Sequence, residues 1–122
     1  MRTYRAGVGI LPFRAVRLGQ DERTVISVYP PSMPLKCRPV GIAQTGQHNP
    51  GRDISVAETP GEICQAEAGG AFDFGAWLTT DELGRVVIAP PGRTPVIAIA
   101  RGAAKTQGDL LAVEIADRGL TT

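Results

Sequence analysis

Short apolar segments separated by turn-forming residues recur along the whole chain. The separating segments are rich in residues that favour fixed or positive φ angles: GQDE, PPSMP, TGQHNPGRD, TPG, DELG, PPG and KTQGD. The 15 glycines and 10 prolines are many for 122 residues, whereas leucine, lysine and glutamate, the usual helix-forming residues, are few. The apolar segments predict nine strands, at residues 13–18, 23–29, 39–45, 53–58, 62–68, 75–80, 85–90, 95–102 and 110–116. The sequence therefore predicts an all-β fold, a compact β-sandwich or barrel of about nine short strands.

Alternation within the predicted strands indicates which side chains form the core. In the strand 110–116, Leu111, Val113 and Ile115 lie on one face, and we expect them to be buried. We also expect three of the aromatic side chains in the core, those of Phe13, Phe74 and Trp77.

The two halves of the chain carry similar segments in the same order. PVGIAQ at 39–44 resembles VIAIAR at 96–101, and GRDISVA at 51–57 resembles GDLLAVE at 108–114. Both matches have the same offset, which places Val40 on Ile97 and Gly51 on Gly108. FRAVRL at 13–18 resembles FGAWLT at 74–79 with a slightly larger offset, which places Phe13 on Phe74. Such self-similarity predicts two β-rich units of the same design.

We interpret residues 1–122 as one domain, with a first β unit at 13–61, a second at 62–116 and a tail at 117–122. A small sheet with one apolar face is marginally stable alone, so we expect the two units to bury that face jointly. Two interpretations of residues 1–12 stay open. They form either a first strand equivalent to 62–68 or a projecting arm that orders against a partner.

Residues that carry chemistry are sparse in this sequence. His48 is the only histidine, and no serine, cysteine or acid stands near it at a catalytic spacing. Cys37 and Cys64 lack C-x-x-C or Cys/His ligand spacing, and we expect them to be reduced structural thiols. We therefore expect no catalytic site, no metal and no cofactor.

The charge and hydropathy of the chain argue against two partner classes. Thirteen Lys and Arg against twelve Asp and Glu give a net charge of +1, which provides no strong field for nucleic acid or an anionic membrane. No apolar run approaches the roughly 20 residues that span a bilayer, and the N-terminus has no signal-peptide pattern.

The order of three segments resembles a known family. PVGIAQTG, then EICQAEAGGAFDFGAWLTTDELGRVVIAPPG, then PVIAIARGAAKTQGDLLAVEIA is similar to the small capsid decoration, or cement, proteins of tailed bacteriophages. The resemblance covers roughly residues 39–116. Residues 1–38 match more loosely, because YPPSMPLKCR replaces a shorter link in that family.

This resemblance implies a structural virion protein without enzymatic activity. It implies binding to the outer surface of a phage capsid, where the protein bridges major capsid protein subunits and stabilises the expanded lattice. It also implies self-association, with a trimer favoured, and a location on the capsid exterior after assembly in the host cytoplasm.

Strands must hold the core while loops remain free to adapt, so we expect contacts to a capsid or to another subunit in the N-terminal segment and the loops. The candidate contact residues are Arg2, Tyr4, Arg5, Met33, His48, Asn49, Arg52 and Arg93. The alternative function is a stand-alone β-barrel that binds a small ligand. It requires a deep pocket lined by aromatic side chains, which six aromatic residues make hard to build.

Overall fold

The computed structural model describes residues 1–19, 23–27, 39–47, 49–81, 83–116, 119 and 121. Within these residues it contains ten β-strands and no helix, which confirms the predicted all-β fold. The first half of the chain forms β1 (Arg2–Ala6), β2 (Ala15–Leu18), β3 (Thr24–Ser27), β4 (Gly41–Ala43) and β5 (Asp53–Ala57). The second half forms β6 (Ile63–Glu67), β7 (Trp77–Thr80), β8 (Val86–Ile88), β9 (Ala98–Ala100) and β10 (Leu110–Ile115).

The two halves have the same strand order. The first half is a closed barrel in the order β1-β3-β2-β4-β5, in which β1 is antiparallel to β5 and parallel to β3. The second half is a five-stranded sheet in the order β6-β10-β9-β7-β8. In this order the five strands correspond to β1, β5, β4, β2 and β3 of the barrel, and each pairing in the sheet has a counterpart there. The sheet is not closed, because β6 and β8 meet only at the parallel bridge between Ala68 and Val86. That bridge corresponds to the pairing of Ala6 with Val25.

The N-terminal segment belongs to the barrel, so the interpretation as a projecting arm is wrong for Arg2–Ala6. Residues 2–5 pair with β5 in antiparallel register, as β6 pairs with β10 in the second half. The buried side chains of Tyr4 and Ala6 lie inside the barrel. The segment is therefore the strand equivalent to β6, and it adds a tenth strand to the nine predicted.

Strand register confirms one part of the predicted repeat and corrects another. Ile42 pairs with Ala57 as Ile99 pairs with Glu114, so β4 and β5 match β9 and β10 with the predicted offset. Ala15 pairs with Ile42 as Trp77 pairs with Ile99, so Ala15 on β2 corresponds to Trp77 on β7. The match of Phe13 with Phe74 would have placed Ala15 on Ala76 instead. The predicted alignment of these two strands is therefore wrong by one position.

The error of one position comes from a matched pair of phenylalanines. The sequence comparison aligned Phe13 with Phe74, but Phe13 occupies the place of Gly75, and both have positive φ angles of 63° and 86°. Glycine adopts this conformation without strain, whereas phenylalanine rarely does. The position is thus defined by backbone geometry and not by the aromatic side chain.

The barrel of the first half is filled by its own side chains. Eight residues no more than 5% exposed form one cluster: Tyr4, Ala6, Ile10, Val16, Val25, Ala43, Ile54 and Val56. Their equivalents in the second half belong to a second cluster, which also contains three residues of the first half, Ala15, Ile42 and Ala57. The two halves therefore bury apolar surface jointly.

The predicted burial of Leu111, Val113 and Ile115 is confirmed. The predicted burial of Phe74 and Trp77 is wrong, since these side chains are 64% and 49% exposed. Phe13 is half-buried. A register error of one position moves every side chain of a strand to the opposite face, so Leu78 takes the interior position and Trp77 points outward.

The first half fills the gap between β6 and β8, which we call the seam. Glu67 N–H donates to the Phe13 carbonyl at 3.0 Å, and Ala15 N–H donates to the Gly84 carbonyl at 2.7 Å. The side chain of Gln44 bonds both the N–H and the carbonyl of Gln65. These contacts take the place of the β1–β3 pairing that closes the barrel.

Candidate interaction surfaces

The described residues of the predicted contact set divide between the two halves of the molecule. Arg2, Arg5, Asn49 and Arg52 belong to the first half, and Arg93 belongs to the loop between β8 and β9 in the second. Met33 and His48 lie outside the described residues, as does Cys37.

Tyr4 is buried and therefore presents no surface to a partner. Its side chain is 3% exposed, and its hydroxyl donates to Glu58 Oε2 at 2.5 Å. Arg2 lies 3.6 Å from Glu58 Oε1 and 5.1 Å above the Tyr4 ring. Burial, together with the Glu58 carboxylate, raises the pKa of Tyr4 to about 12. Tyr4 thus anchors β1 to the residue that follows β5.

Two exposed arginines lie close in the backbone where β1 pairs with β5. Arg5 pairs in register with Asp53 on β5, and Ala6 N–H donates to the carbonyl of Arg52, the residue just before that strand. The exposed Asp53 lies between them, and Arg5 and Arg52 are the two exposed cations beside it. We call these two residues the basic strip.

The loop that contains Arg93 is held by the C-terminal segment. Arg93 N–H donates to the Thr121 carbonyl at 3.0 Å, and the Thr121 hydroxyl donates to the Pro90 carbonyl at 2.7 Å. Val96 N–H donates to the Gly119 carbonyl at 3.0 Å. Arg93 itself is exposed and has a positive φ of 67°.

Sequence reasoning missed an apolar surface on the outer side of the second half. The register places four residues in one row across neighbouring strands, which we call the outer row: Ile63, Glu114, Ile99 and Trp77. Ile63 is 56% exposed and Trp77 49% exposed. Leu110, on the same face of β10 as Glu114, is 53% exposed. The correct alignment of β2 with β7 is the signal that identifies this surface, because it turns Trp77 outward.

The outer row also carries one ion pair. The carboxylate of Glu114 accepts a hydrogen bond from the guanidinium of Arg101, whose backbone N–H bonds the Ala112 carbonyl. The surface therefore presents both signs of charge beside its apolar side chains.

Two clefts between described residues are small. One of about 140 Å³ is lined mainly by Pro39, Val40, Ile42, Pro60 and Ile97. Another of about 200 Å³ is lined by Ile10, Leu11, Arg14, Val16 and Leu83, among others. Both are below the roughly 300 Å³ at which small-molecule sites usually begin.

Cys64 is buried, and its thiol is held in the protonated form. Burial, followed by the charge of Glu62, raises the pKa of the Cys64 thiol to about 12, so the thiol stays protonated at neutral pH. No cluster of three or more His, Cys, Asp or Glu side chains able to hold a metal ion occurs among the residues that the structure describes. In the same residues, no helix is long and apolar enough to cross a membrane.

No protein-family model matches the chain, and no curated protein matches it in sequence. Among solved structures, the chain is similar to the crystal structure of the head fiber gp8.5 N base in bacteriophage phi29. The TM-score is 0.65 and the sequence identity 21%, over 99% of this chain and 96% of that chain. The two proteins therefore share a fold over their whole matched length.

Proposed function

We propose that this chain is a structural protein of a phage virion that binds the outer surface of the capsid. There it bridges neighbouring major capsid protein subunits and stabilises the expanded lattice. The observation that carries the proposal is the similarity in fold, over 99% of the chain, to the base of a phage head fiber. The ordered segments that resemble capsid decoration proteins support the same assignment independently.

The filled interior of the barrel favours a structural role over the alternative of a small-ligand carrier. The eight side chains that line the barrel are no more than 5% exposed, and the second half repeats these interior positions with apolar side chains. A ligand-binding barrel of similar size holds its ligand where these side chains lie. We likewise propose that the protein is not an enzyme, since the site residues that we infer act through shape and charge.

The basic strip is the part of the predicted contact set that a capsid surface would meet most directly. Arg5 lies on β1 and Arg52 directly precedes β5, so the barrel holds both backbones in place and little ordering is needed on binding. Each contact is modest, but many copies on a symmetric shell act together and resist loosening of the lattice.

Binding to expanded shells of the phage or prophage that encodes the chain tests the proposal. We expect the purified protein to cosediment with expanded shells and to raise the temperature at which they rupture. Arg52→Glu should weaken cosedimentation, more so at low salt, because it reverses a charge on the basic strip. The matched control is Lys105→Glu, which reverses an exposed charge in the second half. Shells that do not retain the wild-type chain would refute the proposed function.

A further inference from the structure

The cleft of about 140 Å³ lies between the two halves, and equivalent positions of both halves line it. By strand register Val40 corresponds to Ile97, and Glu58 corresponds to Ile115. Pro39 and Pro60 extend the apolar wall. Among the described residues that line the cleft, Glu58 alone carries a charge.

The second half shows that the fold does not require a carboxylate at the position of Glu58. Its equivalents of Tyr4 and Glu58 are Ala66 and Ile115, and both are buried apolar residues. Taking a phenol and a carboxylate partly out of water costs free energy that an apolar pair avoids. Tyr4 and Glu58 therefore depart from the repeat, and we look for their role outside the closing of the β unit.

The Glu58 carboxylate is held in place through one of its two oxygens. Oε2 accepts the hydrogen bond from the Tyr4 hydroxyl. Oε1 lies 3.6 Å from the nearest nitrogen of Arg2, which is an ion-pair distance longer than a hydrogen bond. A carboxylate oxygen can accept two hydrogen bonds, so Oε1 retains the capacity to bind a closer cation.

Apolar walls and one carboxylate match the chemistry of a long cationic side chain. The methylene stem of a lysine or arginine packs against apolar surface while its charged end reaches a carboxylate. The cleft is below the size of small-molecule sites, so a single inserted side chain suits it better than a free ligand. We propose that this cleft accepts one lysine or arginine side chain of a major capsid protein subunit, with Glu58 as its counterion. The inference rests on the proposed function and names the chemistry of the contact.

Arg2 does not prevent this contact. Its side chain is 57% exposed, and an exposed ion pair at such a distance contributes little to stability. When a closer cation binds Oε1, Arg2 can keep its position 5.1 Å from the centre of the Tyr4 ring or move into solvent. The inserted cation is less exposed to water than Arg2, so its attraction to the carboxylate is less screened.

Two glutamates of equal exposure provide the matched variants. The side chains of Glu58 and Glu114 are both 20% exposed, and each forms an ion pair with an arginine. Glu58→Gln keeps the size of the side chain and an acceptor for the Tyr4 hydroxyl but removes the charge. We expect Glu58→Gln to weaken binding to expanded shells at least tenfold in cosedimentation, and Glu114→Gln to change it less than twofold. Equal effects of the two variants would overturn the proposal.

A measurement on the free protein tests the cleft without a capsid. The probes are n-butylguanidinium and its neutral analogue n-butylurea, each added at millimolar concentration. We expect n-butylguanidinium to shift the methyl NMR signals of Ile97 and Ile115, which line the cleft, in the wild type but not in Glu58→Gln. We expect n-butylurea to shift them less. Equal shifts with the two probes, or no shift with either, would contradict a cation site.

The two measurements separate this inference from the proposed function. If shells retain the wild type and both glutamine variants equally, capsid binding stands and the assignment of the cleft is wrong. If shells retain none of the three proteins while n-butylguanidinium shifts the methyl signals of the wild type, the cleft selects cations but the proposed capsid function fails.

Discussion

The first half of the molecule closes on itself, and the second half is completed by the first. Both halves have the same strand order and equivalent registers. In the barrel, Arg5 N–H donates to the Arg23 carbonyl just before β3, whereas the equivalent Glu67 N–H donates to the Phe13 carbonyl of the other half. The first strand of each unit can therefore bond either to a strand of its own unit, as β1 does, or to the neighbouring unit, as β6 does.

Because of this difference, equivalent residues in the two halves have different structural roles. Ala57, Ile42 and Ala15 form one row across β5, β4 and β2 and are core residues of the junction. Of their equivalents Glu114, Ile99 and Trp77, only Ile99 is buried. Substitutions at equivalent positions should therefore change the unfolding free energy by different amounts. The difference between the two changes measures how far the roles of the equivalent residues have diverged.

The largest effect is expected when the outward residue is placed at the buried position. Ala57 is fully buried, so Ala57→Glu puts an unpaired carboxylate in the junction, and we expect a loss of about 4 kcal/mol or more in unfolding free energy. The reverse change, Glu114→Ala, removes one partly exposed ion pair and should cost less than about 1 kcal/mol. Urea denaturation of both variants checks the comparison. A small loss of unfolding free energy in Ala57→Glu would mean that the junction between the halves opens easily.

Truncation of the central isoleucine in each row should give the next largest contrast. Ile42 is fully buried between the two halves, and we expect Ile42→Ala to cost about 3–4 kcal/mol. Ile99 is also buried but retains 9% exposure, so Ile99→Ala should cost less, about 2 kcal/mol. Chemical denaturation of both variants measures the two losses. Equal losses of unfolding free energy in the two variants would contradict the difference in burial between the two rows.

Tyr4 gives the first half a hydrogen bond that the second half lacks, because the equivalent residue is Ala66. At neutral pH, Tyr4→Phe removes the bond to the Glu58 carboxylate and should cost about 2 kcal/mol. The pKa of Tyr4 is raised from 10.0 to about 12, so the folded state favours the protonated phenol. The stabilisation is complete below pH 10 and is lost as the pH rises towards 12.

Denaturation midpoints measured on both sides of pH 10 test this sign. We expect the difference in stability between wild type and Tyr4→Phe to shrink above that pH. A difference that grows with pH would contradict the assigned contact.

The smallest contrast concerns the two equivalent turn positions with positive φ. A Cβ on Gly75 meets no atom within 4 Å, so Gly75→Ala should cost only the backbone strain, about 1 kcal/mol. Phe13→Gly relieves the same strain but removes a half-buried ring, so its net effect should be near zero. Thermal unfolding of both variants, with Gly92→Ala as a further positive-φ control, ranks the two costs.

The sequence predicted the strands well because alternation and turn residues are local signals. All nine predicted segments contain a strand, and Leu111, Val113 and Ile115 are buried as their pattern indicates. The strand at Arg2–Ala6 stayed undecided, because Arg2 and Arg5 obscure the apolar face that Tyr4 and Ala6 form. Long-range pairing with β5 decides its structure, and no local signal carries that information.

The candidate surfaces were harder to predict than the fold. Tyr4 was expected at a contact and is buried, since Glu58, far along the chain, supplies a partner for its hydroxyl. Trp77 was expected in the core and is half exposed, because a strand's face depends on a register that a chance match of two phenylalanines concealed. Arg5 and Arg52 are exposed, as contact residues must be, but the closeness of their backbones depends on the pairing of β1 with β5.

The two units that meet at the seam are synthesised in a fixed order. All five strands of the barrel precede β6 in the chain, so the unit that needs a template is synthesised after the unit that supplies it. A circular permutant that begins at β6 keeps every strand pairing and reverses that order on the ribosome. It therefore separates the influence of vectorial synthesis from that of the native topology.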